Sequence, residues 1–319
     1  MPNKTLYSLK GKRVWVAGHR GMVGSAIVRR LASEDCDILT ATRHEVDLLN
    51  QAETAAWLTD RRPDAIFLAA ARVGGILANS SYPADFLYDN LLIEANVVGA
   101  AHHVGVEKMM MLGSSCIYPK FAAQPIAEES LLTGPLEPTN EWYAIAKIAG
   151  IKLGQAFRAQ HGSDFISAMP TNLYGYGDNF DLNAGHVLPA LIRKAHEAKL
   201  AGRDGIEIWG SGEPRREFLH ADDCADACVF LMQNYSDFGH INVGSGEDLR
   251  IIDLAHMVCE IVGIPSNIVT DTSKPDGTPR KLMSAEKLRG MGWLPTISLH
   301  DGIAATYRWY LENIATADT

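Results

Sequence analysis

Positive charge is in short supply in this chain. Its 29 lysines and arginines face 38 acidic residues, a formal net charge of −9. That balance argues against a nucleic-acid polyanion as the main partner, while a few arginines in one cleft still suffice for a small phosphorylated ligand. Cysteines are few and odd in number: Cys36, Cys116, Cys224, Cys228 and Cys259 show no paired spacing. No disulfide scaffold is expected, and a reducing, cytoplasmic setting is. Cys224 and Cys228 fall four apart on a stretch of helical pattern, but no second ligand pair follows, so the expectation is buried packing and no metal. Long apolar runs are missing too. Residues 65–78 form the longest, and Arg72 with two glycines interrupts it; it is too short to span a bilayer. Met1-Pro2-Asn3-Lys4 leads into no apolar signal core, so no membrane partner is expected.

What is present is an alternation. Apolar runs of strand length at 14–17, 37–40, 65–68, 108–112 and 165–169 (the last stopped by Pro170) are separated by segments of helical period at 21–33, 84–104 and 142–160. Strands alternating with helices imply parallel pairing and right-handed crossovers. The predicted class is α/β, a Rossmann-type doubly wound parallel sheet with a smaller α/β C-terminal substrate lobe. Past Gly175 the pattern loosens into a helix at 186–201, a strand at 206–209, a helix at 222–232 and a strand at 240–243. Residues 1–175 with about 206–244 are assigned to the dinucleotide-binding domain, and about 176–205 with 245–319 to the lobe. No linker separates them, and a cleft between them is the expected ligand site.

The first strand runs into Gly18-His19-Arg20-Gly21-Met22-Val23-Gly24 and then a helix. This G-x-x-G-x-x-G spacing supplies a tight turn, a close backbone approach to a pyrophosphate and close helix-to-strand packing, with a helix N-terminus facing the phosphates. An acid at the end of the second strand would take ribose hydroxyls, whereas a 2′-phosphate calls for arginine. The strand ends Thr40-Ala-Thr-Arg43-His44, and Arg20 adds a second cation. Either both are solvated surface arginines or the cofactor is NADP(H); the latter is the reading adopted.

Tyr143-Ala-Ile-Ala-Lys147 is the one Tyr-x-x-x-Lys of the chain. Four residues apart on a helix, the two side chains share a face, and the ammonium can favour phenolate character in a tyrosine that is otherwise a poor acid–base catalyst at neutral pH. The fourth strand ends Leu112-Gly113-Ser114-Ser115-Cys116, where α/β sheets place their chemistry. Ser114 either hydrogen-bonds a substrate carbonyl or caps the following turn. Cys116 is either a small buried hydrophobe or a thiol able to take a proton from carbon beside a ketone.

The glycine loop, Tyr143, Lys147 and Ser114 resemble the extended short-chain dehydrogenase/reductase superfamily acting on nucleotide sugars. Longer stretches resemble its GDP-4-keto-6-deoxy-D-mannose 3,5-epimerase/4-reductases: Gly113-Ser-Ser-Cys-Ile-Tyr-Pro119, Glu137-Pro-Thr-Asn-Glu141, Pro170-Thr171-Asn172-Leu173-Tyr-Gly175 and Lys274-Pro-Asp-Gly-Thr-Pro-Arg-Lys281. The resemblance implies an NADPH enzyme that inverts C3 and C5 of a GDP-keto sugar and then reduces C4. It assigns Cys116 as base, His186 as acid, Ser114 and Tyr143 as contacts of the ketone oxygen, Tyr143 as proton donor and Lys147 as a ribose contact. It also places Leu112, Gly113, Ser114, Ser115, Pro170, Thr171, Asn172, Leu173 and His186 around the cofactor, and Lys194, Trp209 and Arg216 on the GDP-sugar. Asp276 offers acceptor oxygens to a ribose or guanine edge. On residue type alone Arg216 could instead pair with Glu217 or Asp222, Trp209 could be core, and Asp222 and Asp223 read as caps of the next helix. The family is commonly a homodimer through a four-helix bundle, for which the two helices of about twenty residues supply candidate faces.

Three other functions are weighed. A 4,6-dehydratase would need an acidic pair where this chain has Ser115-Cys116, and a simple 4-epimerase would have no use for the thiol. Related GDP-deoxysugar epimerase/reductases share much of the site and remain open. A non-catalytic NADPH-sensing protein is the third, and it would be expected to lose the tyrosine, lysine or serine kept here.

Overall fold

The computed structural model describes residues 5–182, 185–274 and 276–315, the side chains of Ile76 and Leu77 excepted. The Met1–Lys4 tetrapeptide therefore lies outside the described residues, as do Asn183 and Ala184 just before His186 and Pro275 of the Lys274–Lys281 motif. The strands are β1 (Arg13–Ala17), β2 (Asp37–Leu39), β3 (Ala65–Leu68), β4 (Lys108–Leu112), β5 (Asp164–Pro170), β6 (Asn172–Tyr174), β7 (Gly205–Trp209), β8 (Arg215–His220), β9 (Ile241–Val243), β10 (Asp248–Arg250), β11 (Asn267–Asp271) and β12 (Arg280–Lys281). The helices are α1 (Met22–Leu31), α2 (Gln51–Arg61), α3 (Ile76–Ser81), α4 (Pro83–Val104), α5 (Glu141–His161), α6 (Val187–Leu200), α7 (Ala221–Asn234), α8 (Ile251–Val262), α9 (Glu286–Gly290) and α10 (Leu299–Tyr310).

Six strands form a parallel sheet in the order β2-β1-β3-β4-β5-β9. Alternate side chains of a strand point to opposite faces, and here both faces are buried. Val14, Val16, Phe67, Met110 and Ile166 pack with Ile27 and Leu31 of α1 and with Val229 of α7. Trp15, Ile66, Leu68, Met109, Met111 and Phe165 pack against Leu58 of α2, Val97 and Val98 of α4 and Phe157 of α5. That is why these strands read as unbroken apolar runs rather than alternating ones. The order reverses between β1 and β3, and the crevice beyond their carboxyl ends is where such a sheet binds ligand.

A second core belongs to the lobe. Leu188, Leu191 and Ile192 of α6, Ile206 and Ile208 of β7, Leu254 and Val258 of α8 and Ile303 and Tyr307 of α10 close around one another. Here the strand at 206–209 corrects the sequence-derived boundary. β7 does not join the six-stranded sheet; it pairs in parallel with β11 over five residues and buries its isoleucines in the lobe. Pro170 is itself the last residue of β5, one beyond the predicted run. It ends the strand opposite Val243 in β9, and Thr171 N–H donates to Val243 O at 3.0 Å, so the missing proline donor leaves no gap in the ladder. Among the described residues no helix is long and apolar enough to cross a membrane.

Candidate active site

Two of the three glycines of the loop leave no room for a Cβ. At Gly18 (φ +89°) a Cβ would come within 2.6 Å of Ala70 N, and at Gly24 within 2.1 Å of Gly18 O. The backbone following β3 therefore lies on the loop, and α1 starts hard against it. Gly21 caps α1 without a side-chain hydrogen bond, which leaves first-turn amides facing the crevice as a ready anion seat. His19 Nδ1 is buried without a hydrogen-bond partner. Met22 and Val23 pack inward on the sheet core. Arg20 stands exposed at the rim. Arg43 is exposed too, its guanidinium 3.9 Å from Asp47. Glu45, the acid nearest the tip of β2, is already engaged: it accepts from Thr42 N–H at 2.7 Å, which holds its carboxyl below the usual range.

The chemical centre forms where β4 ends. Gly113 passes Met169 so closely that a Cβ would meet its sulfur at 2.2 Å. Ser114 then caps a single 3-10 turn, Ser115–Ile117, accepting from Cys116 N–H at 3.4 Å. The same oxygen accepts from Cys116 Sγ at 3.0 Å. Ser114 is thus both a cap and a neighbour of the thiol. Cys116 and Ser115 are buried, while Ser114 keeps partial exposure.

Tyr143 enters from the first turn of α5, its ring edge-on to Phe86 at 6.4 Å. Lys147, one turn on, is buried with its ammonium 5.7 Å from the Tyr143 ring centroid. That ammonium donates to Leu112 O at 3.1 Å and to Glu94 Oε1 of α4 at 3.0 Å. Burial, then the fields of Cys116 and Glu94, push the Tyr143 phenol well above its ordinary pKa.

His186, an exposed residue, precedes α6 without making a side-chain cap hydrogen bond. The surrounding protein, with the Lys281 ammonium, lowers its pKa. Lys281 sits in β12 beside Arg216 of β8. Its own pKa is lowered by burial and by Arg216, against the opposing pull of Cys116 and Glu137. Arg216 donates to Arg215 O at 2.8 Å, and burial lowers its pKa. It makes no ion pair with either proposed acid. Glu217 is turned to Gly246 N–H and Met283 N–H, and Asp222 pairs with Arg29 at 2.5 Å. Nor do the two aspartates cap α7. His220 accepts from Asp222 N–H, and Asp223 holds Thr296 and Ile297.

Farther along the lobe, Trp209 exposes 52% of its surface and is no core residue. The ammonium groups of Lys194 and Lys274 lie 5.5 and 5.6 Å from its ring centroid. Lys194 also donates to Glu207 O at 3.0 Å, and burial lowers its pKa. Both carboxylate oxygens of Asp276 take bonds from Ser211, at 2.6 and 2.9 Å, fixing the loop after Trp209. Pro170, Thr171, Asn172 and Leu173 form the passage from β5 to β6, pinned by Asn172 Nδ2 donating to Glu217 O at 2.8 Å. Sequence reasoning did not assign roles to Glu94, Glu137 or Lys281. Glu137 and Lys281 lie inside the motifs given above; Glu94 is buried on α4 beside Asn90, Val97 and Ala101.

Known proteins resemble the chain along its length. The family model described as the NAD dependent epimerase/dehydratase family matches residues 14–244. A GDP-L-fucose synthase of Sinorhizobium fredii is 62% identical over 310 residues, covering 97% of this chain and 99% of that one. The GDP-L-fucose synthase of Escherichia coli is 51% identical, with 95% and 97% covered. A crystal structure of a GDP-L-fucose synthetase from Naegleria fowleri bound to NADP superposes with a TM-score of 0.89 at 28% identity, covering 100% of this chain and 99% of that one.

Proposed function

Because the chain belongs to the NAD dependent epimerase/dehydratase family and, within it, to the GDP-L-fucose synthases, we propose that it makes GDP-L-fucose from GDP-4-keto-6-deoxy-D-mannose in two stages, 3,5-epimerisation and then NADPH-dependent reduction of the C4 ketone. The observation that carries this is the convergence at the end of β4. The Cys116 thiol, the Ser114 hydroxyl 3.0 Å from it, and the Tyr143–Lys147 pair share one end of the sheet, and the Lys281 charge acts on both Cys116 and His186.

The residues present fit NADP(H). The loop Gly18–Gly24 has the shape a pyrophosphate needs, since Cβ atoms at Gly18 and Gly24 would close it, and His19 Nδ1 is an unpartnered buried polar atom within it. Arg20 and Arg43 are the cations available for a 2′-phosphate. Leu112 to Ser115, Lys147, Pro170 to Leu173 and His186 would line the nicotinamide half. Once bound, the cofactor supplies the hydride that reduces C4.

The rest is proton handling by the protein. As its thiolate, Cys116 takes the proton from the carbon beside the ketone; the C–H electron pair becomes the enolate C=C bond and the carbonyl π pair moves onto the ketone oxygen. Ser114 and Tyr143 donate hydrogen bonds to that oxygen as its charge develops. His186 returns a proton to the carbon from the opposite ring face, which inverts the centre. In the reduction Tyr143 gives its phenolic proton to the same oxygen, so a phenol held protonated by burial suits the task. Arg216 would meet the substrate diphosphate, Lys194 and the Trp209 face the nucleotide, and Asp276 would hold their loop in place.

We also assign a cytoplasmic setting, supported by five cysteines all free, and a homodimer through α4 and α5. The latter rests on Tyr88, Trp142 and Ile145, apolar side chains that these helices leave exposed. Light scattering at micromolar concentration should give twice the chain mass.

The decisive experiment follows NADPH absorbance with GDP-4-keto-6-deoxy-D-mannose in deuterated water, beside a Cys116→Ser variant. Oxidation with deuterium at C3 and C5, and label strongly reduced in the variant, is the expected result. Oxidation without label would leave a plain ketoreductase and remove the roles given to Cys116 and His186.

A further inference from the structure

We propose that Glu94 is a positioning residue for the reaction: from α4 it anchors the Lys147 ammonium and offsets its charge, so that Tyr143 meets the substrate as a phenol. The inference rests on the proton-donor role given to Tyr143 above and adds to that site a residue it does not contain.

Three observations carry it. First, the pair is closed off. The side chains of Glu94 and Lys147 are 5% and 4% exposed, with Oε1 and Nζ 3.0 Å apart. A buried ion pair of this kind adds little stability over an apolar pair of the same volume, so stability alone is a poor reason for placing one beneath Tyr143. Second, α5 is shaped for the carboxylate. Gly150 follows Lys147 by three residues, and a Cβ there would come within 2.1 Å of Glu94 Oε2. The glycine is the gap that lets Glu94 reach Lys147. Third, the ammonium is fixed by two acceptors, Glu94 and Leu112 O, the latter at the end of the strand that leads to Ser114 and Cys116. One hydrogen-bonded unit thus ties α4, α5 and β4 to the reacting corner.

Chemically, an unopposed ammonium 5.7 Å from the Tyr143 ring would favour loss of the phenolic proton before it is needed. A carboxylate on the far side of that ammonium removes most of the net charge while leaving a rigid donor in place. The charged and titratable groups facing Tyr143 are Cys116 from the turn after β4, Glu94 from α4 and Lys147 from its own helix, with Lys281 and His186 beyond Cys116. Only the Glu94–Lys147 balance changes in the variants below.

The test compares Glu94→Gln, Glu94→Asp and Gly150→Ala with the unaltered enzyme. NADPH oxidation with the keto sugar is followed from pH 6 to 10, and tyrosine ionisation is followed by ultraviolet absorbance with and without Tyr143→Phe in each background. In Glu94→Gln an alkaline fall of the rate that the unaltered enzyme does not show up to pH 10 should enter the range, kcat at neutral pH should drop about tenfold through the loss of the Lys147 anchor, and KM should stay within about twofold. One tyrosine, absent in the Tyr143→Phe background, should ionise at lower pH. Glu94→Asp should return most of the alkaline range. Gly150→Ala, which keeps the charge but displaces it, should move the limb the same way as Gln and provides the test if Glu94→Gln does not fold. A rate loss with the alkaline limb and the tyrosine titration unmoved would overturn the proposal and leave Glu94 a packing residue. If the unaltered enzyme does not reduce this ketone, the substrate reading falls, and the tyrosine titration alone decides the part assigned to Glu94.

Discussion

The two ends of the cleft are built on opposite principles. At the sheet end the central groups find partners within the protein: Lys147 in Glu94 and Leu112 O, the Cys116 thiol in Ser114. These side chains project from strand ends and from helices packed on both faces of the sheet. At the lobe end the groups are half-exposed and incompletely answered. Arg216 bonds a neighbouring carbonyl rather than an acid, and Trp209 spreads an open face beneath two ammonium groups. The first arrangement is preorganised for chemistry, where a misplacement costs rate. The second waits for an anionic, planar ligand to complete it, so its cost falls on binding.

That contrast can be broken by experiment. The largest effect belongs at the sheet end. Tyr143→Phe should lower the rate of ketone reduction by about 10²–10⁴-fold with substrate KM nearly unchanged; a rise in KM with kcat intact would erase the distinction between the two ends. Next is a pH effect on stability, also at the closed end. His240 is buried against the Tyr118 hydroxyl, which donates on to Asn242, and burial with the Lys287 and Lys152 charges holds its pKa down at about 4. Between pH 6.5 and 4 the unfolded chain therefore takes a proton that the folded chain refuses. Stability is present above that window and should fall by about 3 kcal/mol across it. Urea melts at pH 7 and pH 4 read this, and His240→Gln should flatten the difference. The smallest effect belongs to the lobe. Arg216→Ala should raise substrate KM by about 10–100-fold, the worth of a charged hydrogen bond, with kcat retained and the loss shrinking at high salt. A kcat loss there would show that the lobe, too, is part of the reacting corner.

The sequence was most legible where burial is complete on both sides. β3 and β4 run over the residues their apolar stretches predict, and the start of α1 follows from the glycine spacing. Elements with mixed surroundings were harder. α2 buries only Thr54 and Leu58, so its apolar periodicity is too thin to notice, although Asn50 capping Ala52 and Glu53 was a usable sign. β8 begins Arg215-Arg216-Glu217, a charged run that becomes a strand only because β6, β10 and β12 pair with it. At the site, Tyr143, Lys147, Ser114 and Cys116 sit in local motifs and could be named. Glu94 lies 53 residues from Lys147, and no local pattern announces a partner at that distance. The pairing is a product of how two helices meet.

The path of the chain between the two halves has a consequence for how such enzymes can be re-engineered. After β5 it leaves the sheet for β6, returns after β8 with α7, completes the sheet with β9 and departs again through β10. A cut at residue 175 would therefore strip the sheet of an edge strand and of α7, one of the two helices that cover one face. Neither half is a cassette. Exchanging the lobe to accept a different sugar nucleotide needs several junctions spliced at once, whereas loop-by-loop replacement around Trp209 and Asp276 leaves every crossing intact. The shared path also predicts one cooperative melting transition for both halves, because neither core closes until the other half has been threaded through it.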